Sequence, residues 1–298
     1  MKFELIDTQA AYARLLDEPD RAAREAVFRA QVVAPFAGLA QRFGGSDPLA
    51  MFAQWGMSPD LFSGAQRAQT QAVVEGLAAA DGWQRAAASL ARAREAFAPY
   101  ADRIPLQEVV FGLLVADLSR GPADAEGYTG FGGVPGYVMT VYGKASPFNL
   151  ERIEACTVHE LHHNVLSAVF PKNFMTETTV GDYMVMEGLA ESFAGELYGA
   201  ALLGPWTTRF DDARLPETKT VLAAHLKDTG FNTIRSYIFG DLPESAAYGL
   251  PNVGLPPYTG YAIGYRVVQA YLARRGGSVA DATFVPAEQI IAESGYFD

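Results

Sequence analysis

The sequence predicts a mostly helical α+β protein with one small sheet near the middle of the chain. Three features carry that expectation. Apolar residues recur at intervals of three and four through the first hundred residues and again beyond residue 149. Between these stretches lie two runs rich in β-branched and aromatic residues, VVFGLLVAD (109–117) and GYVMTVYG (136–143), separated by glycine- and proline-bearing loops. No period of roughly 20–50 residues repeats along the chain, which argues against a solenoid.

Taken in order, AAYARLL (10–16) reads as the first helix, and DEPDRAAREAVFRAQVVAPFAGLAQRF continues the pattern with Pro19 placed in a first turn. GGSDP (44–48) is a break, and Ser58 with Pro59 opens another helix. Residues 64–98 give one or two helices parted near Asp81–Gly82. The two β-rich runs should be neighbours in a mixed or antiparallel sheet. The segment GPADAEGYTGFGGVPG between them reads as a loop. It lacks both GK[ST] and the GxGxxG spacing, so it is not a phosphate cradle. After it, Asn149 is placed as the N-cap of a helix running to about Ser167, and Pro171 closes that neighbourhood. Further helices are expected over about Asp182–Tyr198 and in 216–239, 260–274 and 286–293. The change of texture after Pro99 divides the chain into a helical N-terminal region, 1–100, and a second domain, 101–298.

Composition narrows the function. The 298 residues are 49% hydrophobic and 19% charged, enough apolar material for a substantial core. Lys and Arg number 23 against 34 Asp and Glu, a net charge of −11, and no basic stripe interrupts it. Such a surface repels phosphate backbones and offers no polybasic anchor, so neither nucleic acid nor a membrane is expected as a partner. A single cysteine, Cys156, excludes an internal disulfide framework and a thiolate-rich zinc cluster. The N-terminus becomes charged within a few residues, without a leader's apolar core, so a cytoplasmic location is expected.

Three of the four histidines fall in one pentapeptide, His159-Glu160-Leu161-His162-His163. On a helix, His159 and His163 lie about 40° apart, one turn above the other, so both imidazoles can reach one ion. Glu160 lies about 100° from His159, beside such an ion, where a base acting on water must stand. The apolar stripe of Leu150, Ile153, Thr157, Leu161 and Ala168 falls on the opposite side, which leaves the histidine face toward a cleft. His162 lies off the shared face.

A second four-residue spacing follows 24 residues later, in Glu187-Gly188-Leu189-Ala190-Glu191. A catalytic zinc needs a third protein ligand and an open position. Glu187 can be that ligand, leaving Glu191 to accept a hydrogen bond from the far nitrogen of a ligand imidazole. Gly188 would let another helix approach closely. Met184, Val185, Met186, Leu189, Ala190 and Phe193 crowd the same helix, and carboxylates in apolar surroundings require partners.

HELHHN, MEGLAESFA and the late YTGYAIGYRVVQAYL, in that order, resemble the gluzincin class of zinc metallopeptidases. More closely, they resemble the family of predicted zinc-dependent proteases called DUF2268. The resemblance covers residues 105–298. It implies a zincin-like (gluzincin) domain binding one zinc per chain. His159, His163 and Glu187 would be its ligands, Glu160 its general base and Glu191 the supporting carboxylate. A glutamate at Glu191, where thermolysin-like enzymes have aspartate, changes reach by one methylene. The substrate would be a peptide or protein. Tyr265, then Tyr261, then Arg266 are the donors placed to meet a developing oxyanion, and His225 is a further candidate. The fold implied would also set 134–142 as an edge strand beside the cleft, where a peptide can add as another strand. The alternative is a non-catalytic scaffold or peptide-binding protein with a closed structural zinc, whose fourth ligand would be His162 or His225.

Overall fold

The computed structural model describes residues 1–43, 47–119, 126–243, 245 and 249–298. They divide into two compact units, Met1–Ala101 with Pro105–Asn164, and Asp102–Ile104 with Val165–Asp298. The result is mostly helical with one small sheet, as the sequence indicates.

The first unit opens with strand β1 (Lys2–Leu5), followed by α1 (Thr8–Asp17) and α2 (Arg21–Phe28). The strand is an addition to the almost wholly helical region expected here; four residues are too short for a periodicity to register. Pro19 precedes α2 instead of entering its first turn, and Asp20 caps it by accepting from the N–H of Ala23. The helix then loosens into a π turn (Arg29–Val33) and a 3-10 turn (Ala34–Phe36) around Pro35, which has no N–H to donate. Next come α3 (Ala37–Arg42) and α4 (Pro48–Gln54), the latter capped by Asp47. Residues 44–46 of the expected break lie outside the described residues. Ser58 and Pro59 do open a helix, a short 3-10 turn over Pro59–Phe62. After it, α5 (Arg67–Ala79) and α6 (Gly82–Ala96) part at Asp81, whose φ of 53° ends one helix and starts the other.

Strands β2 (Glu108–Val115), β3 (Tyr128–Val134) and β4 (Tyr137–Tyr142) complete a sheet ordered β1-β2-β4-β3. β1 and β4 flank β2 in parallel, while β3 runs antiparallel to β4. The two β-rich runs are therefore neighbours, but two expectations fail. The segment read as a loop contains β3, and the sheet's edges are β1 and β3, so 134–142 is an inner strand and the alternative reading of it as a buried strand holds. The reason is compositional: YTGFGGV carries three glycines and reads as a loop, although its pairing supplies the order. Residues 121–125 of that segment lie outside the described residues.

β2 is buried on both faces and is pinned to α1. The Thr8 hydroxyl donates to the carbonyl of Leu113 (2.5 Å) and the Val115 N–H donates to the hydroxyl of Tyr12 (3.0 Å). At the other end of the sheet the β3–β4 ladder loses register between Phe131 and Val134. There the buried Asn164 replaces it. Its Nδ2 donates toward the carbonyls of Gly132, Val134 and Tyr137 (2.9, 2.7 and 2.9 Å), and its Oδ1 accepts from the N–H of Gly136 (2.9 Å). A single side chain thus satisfies the polar backbone of the bulge and turn.

The expected helix start at Asn149 is corrected. A short α7 (Pro147–Glu151) is capped by Ser146, and the longer α8 (Ile153–Val169) begins after a break at Arg152. Asn149 is instead buried, its Nδ2 donating to the carbonyls of Glu126 and Lys144 (3.0 and 2.8 Å). The division into units falls within α8, after Asn164.

The second unit contains α9 (Val180–Tyr198), α10 (Pro205–Thr208), α11 (Leu215–His225), α12 (Phe231–Phe239), α13 (Thr259–Arg275), α14 (Val279–Ala282) and α15 (Ala287–Ser294). α9 starts on a reciprocal capping box between Thr179 and Asp182. Gly230, at φ 103°, splits the expected 216–239 helix into α11 and α12. α9 and α13 meet at Gly188 and Gly264. A Cβ at Gly188 would collide with the carbonyl of Gly264, and one at Gly264 with the carbonyl of Met184. No helix among the described residues is long and apolar enough to cross a membrane.

Two expected outcomes follow. Gly264→Ala forces two helix backbones apart and should cost about 1–3 kcal/mol of stability, measured by urea unfolding. Asn164→Ala strands backbone groups at the bulge and should cost at least about 2 kcal/mol. Asn164→Asp preserves volume but faces three carbonyls with a carboxylate, so it should rescue none of that loss. Wild-type unfolding midpoints in these variants would remove the packing and clamp assignments.

Candidate metal centre

α8 holds the histidine motif as the four-residue spacing requires. His159 and His163 are buried, their rings stand at 89° to one another, and their Nε2 atoms lie 2.9 Å apart. Two nitrogens that close are aimed at one position; a tetrahedral zinc holds such a pair about 3.3 Å apart. Among the described residues, one group of side chains could hold a metal ion: His159, His163 and Glu187. All three are buried, and each offers a ligand atom within 4.8 Å of the others. Two imidazole nitrogens and one carboxylate oxygen are a donor set suited to catalytic zinc, which leaves one position open. His162 and His225 are not in the group. His162 is fully buried with its ring 6.1 Å from that of Phe97, and His225 pairs with Asp228 (2.7 Å) and stacks on Tyr237.

Glu160 is buried beside β3. The strand approaches α8 so closely that a methyl group at Gly130 would enter the Glu160 carboxyl, and one at Gly132 would strike its backbone carbonyl. A side chain at Gly132 would meet backbone, and one at Gly130 would displace the Glu160 carboxyl. Gly130 also has a backbone free of its partner strand. The N–H of Gly143 donates to the carbonyl of Gly127 (2.9 Å), so the alternation of an antiparallel ladder directs Thr129 and Phe131 toward β4 and Gly130 toward the outer edge.

Glu191 is buried on α9 and accepts from the indole N–H of Trp206 and from the N–H of Gly204 (3.3 Å). Those donors fix the carboxylate from the side of α10. Tyr265 is half-buried on α13, and burial, with a smaller contribution from the charge of Glu191, raises its phenol above the ordinary value. It therefore keeps its proton at neutral pH. Tyr261, one turn earlier, sits among Trp206, Phe239 and Tyr258, each ring centroid 6.0 Å away. Arg266 is engaged by Asp212 and lies over Phe210.

The sequence reading missed Asn164, Gly130, Gly132 and Trp206. Asn164 directly follows HELHH, and the Gly-x-Gly alternation in YTGFGG marks a strand that something must approach. Trp206 gave no signal, since nothing in its neighbourhood marks a carboxylate partner.

Comparison with known proteins agrees with this chemistry. Uncharacterized protein YjfC of Bacillus subtilis (strain 168) is 40% identical over 195 residues, 65% of this chain and 64% of that protein. Uncharacterized protein YjaZ of the same strain is 27% identical over 147 residues, 49% of this chain and 52% of that one. The chain thus spans less than two thirds of the length of either relative. No solved structure matches it. The family model described as "Predicted Zn-dependent protease (DUF2268)" matches residues 82–292, the stretch that carries both helices of the candidate centre, and the chain belongs to that family.

Proposed function

We propose that the protein is a zinc-dependent peptidase of the gluzincin kind, hydrolysing amide bonds of a peptide or protein substrate. The observation that carries this reading is the buried group of His159, His163 and Glu187, with Glu160 next to one of its histidines and pressed against an edge strand. His159, His163 and Glu187 would hold one zinc per chain. Zinc in such a site supplies Lewis acidity, activating water near neutral pH and polarising a carbonyl.

The chain's own groups do the rest. A peptide adds along β3, held by the outward N–H and C=O of Gly130, which brings an amide to the Glu160 carboxylate. Glu160 takes a proton from the attacking water and delivers it to the leaving nitrogen. The Tyr265 phenol donates to the carbonyl oxygen as negative charge builds there; Tyr261 is second in line. Glu191 holds the local geometry by accepting from donors around it.

Three variants separate the roles, each measured for zinc content and for turnover of a peptide found by library digestion. Glu160→Gln should retain zinc while turnover falls by about 10²–10⁴. Glu187→Gln should lose zinc and activity together. Glu191→Gln should cost roughly 10–100-fold in metal affinity or activity. Wild-type turnover in Glu160→Gln would defeat the mechanism. A full equivalent of tightly held zinc in Glu187→Gln would require another third ligand.

A further inference from the structure

Three aromatic rings meet on the face of β3 opposite Glu160. Side chains of a strand alternate between faces, and Gly130 and Gly132 face α8, so Phe131 projects the other way. Its ring lies 5.4 Å from that of Trp55 and 5.9 Å from that of Phe43, which are themselves 6.1 Å apart at 85°. Trp55 and Phe43 are the residues on which α4 and α3 end. The cluster is not sealed. Phe43 is 54% exposed, Trp55 and Phe131 are half-buried, and the next position on the same face is the exposed Gly133, which leaves the space beside Phe131 without a side chain.

We infer that Phe43, Trp55 and Phe131 form a subsite for an aromatic or large aliphatic side chain of the peptide substrate. The inference rests on the peptidase reading above and names the side chain that reading leaves open. The occupant follows from the strand. A peptide held by the outward backbone of Gly130 places its next residue beside Phe131, with its side chain on Phe131's face. On that face it meets three rings and a glycine. An aromatic side chain gains both buried area and ring-edge contacts there, while an alanine reaches neither. Phe43 and Trp55 precede residue 82, where the family match begins, so two of the three rings come from the N-terminal helices of this chain. Those helices thereby acquire a role in choosing the substrate.

The test compares zinc-loaded wild type, Phe43→Ala and Trp55→Ala on peptide pairs carrying Phe or Ala near the scissile bond, at the position a library digestion selects. Wild type should favour Phe by about five- to tenfold in kcat/KM, and the ratio should fall toward one in both variants. Phe43→Ala guards against misfolding, because that ring is largely in solvent. In parallel, fluorescence anisotropy on a second pair, unstructured peptides with a single central Phe or Ala chosen without reference to cleavage, should find zinc-loaded Glu160→Gln binding the Phe peptide more tightly than the Ala peptide by a similar factor. Adding Trp55→Ala should erase that difference. Cleavage with no preference for a large apolar residue, or a preference that survives both substitutions, would overturn the subsite while leaving the peptidase reading intact. If wild type cleaves nothing but Glu160→Gln still binds the Phe peptide preferentially and loses this with Trp55→Ala, the subsite stands and the peptidase reading falls. Equal binding of both peptides, with no cleavage, overturns the subsite as well.

Discussion

The close approach of β3 to the turn of α8 that carries Glu160 governs the arrangement around the candidate base. Two chain segments can touch backbone to side chain in this way only where no Cβ intervenes, and Gly130 and Gly132 supply that absence twice on one face of the strand. The glycines weaken the strand, since they pack nothing and restrict the unfolded chain little. Asn164 offsets that weakness from α8 itself, five residues after His159, by satisfying the backbone where the ladder to β4 fails. The histidine motif and the clamp on the strand are thus parts of one helix. A shift of that helix relative to β3 would disturb both together.

This arrangement explains which parts of the site were legible in the sequence. His159, His163, Glu187 and Glu191 announce themselves because a four-residue spacing of metal-ligating or acidic types is a local signal, readable on any helix. The long helices α8, α9 and α13 were legible for the same reason. Strand β3 was not, because its order comes from the partner strand and from α8 and not from its own side chains. Asn149 was misread because a buried asparagine that binds the carbonyls of Glu126 and Lys144 has the same local sequence context as a helix cap. Ser146, which does the capping, stood immediately before a proline at the first helical position, the stronger of the two signals.

A similar logic applies to α9 and α13. Gly188 is one residue after Glu187, and its lack of a side chain brings the backbone of α13 within reach of that turn. The sequence suggested close approach at Gly188 but could not name the partner, since Gly264 lies 76 residues further on and nothing local pairs the two positions. Tyr265, the donor in the proposed mechanism, follows Gly264 directly. A side chain adjacent to the tightest point of a helix crossing has little freedom to drift, and burial, with the negative charge of Glu191, helps keep the phenol's proton in place.

The electrostatics of the interior complete the case for a cation. Glu160, Glu187 and Glu191 are all buried in a chain already carrying a net charge of −11. Removing carboxylates from water costs several kcal/mol each unless charge or hydrogen bonds compensate. Glu191 obtains neutral donors, an indole and a backbone N–H, and so needs no further ion. Glu187 is grouped with two imidazoles, whose Nε2 atoms lie 2.9 Å apart. A divalent ion meets both demands at once: it supplies positive charge to the carboxylate and a common acceptor of lone pairs to the two nitrogens. Such an ion can also take the carboxylate oxygen as a third ligand at the same point, and this is what two imidazole nitrogens and one carboxylate within 4.8 Å of one another suit.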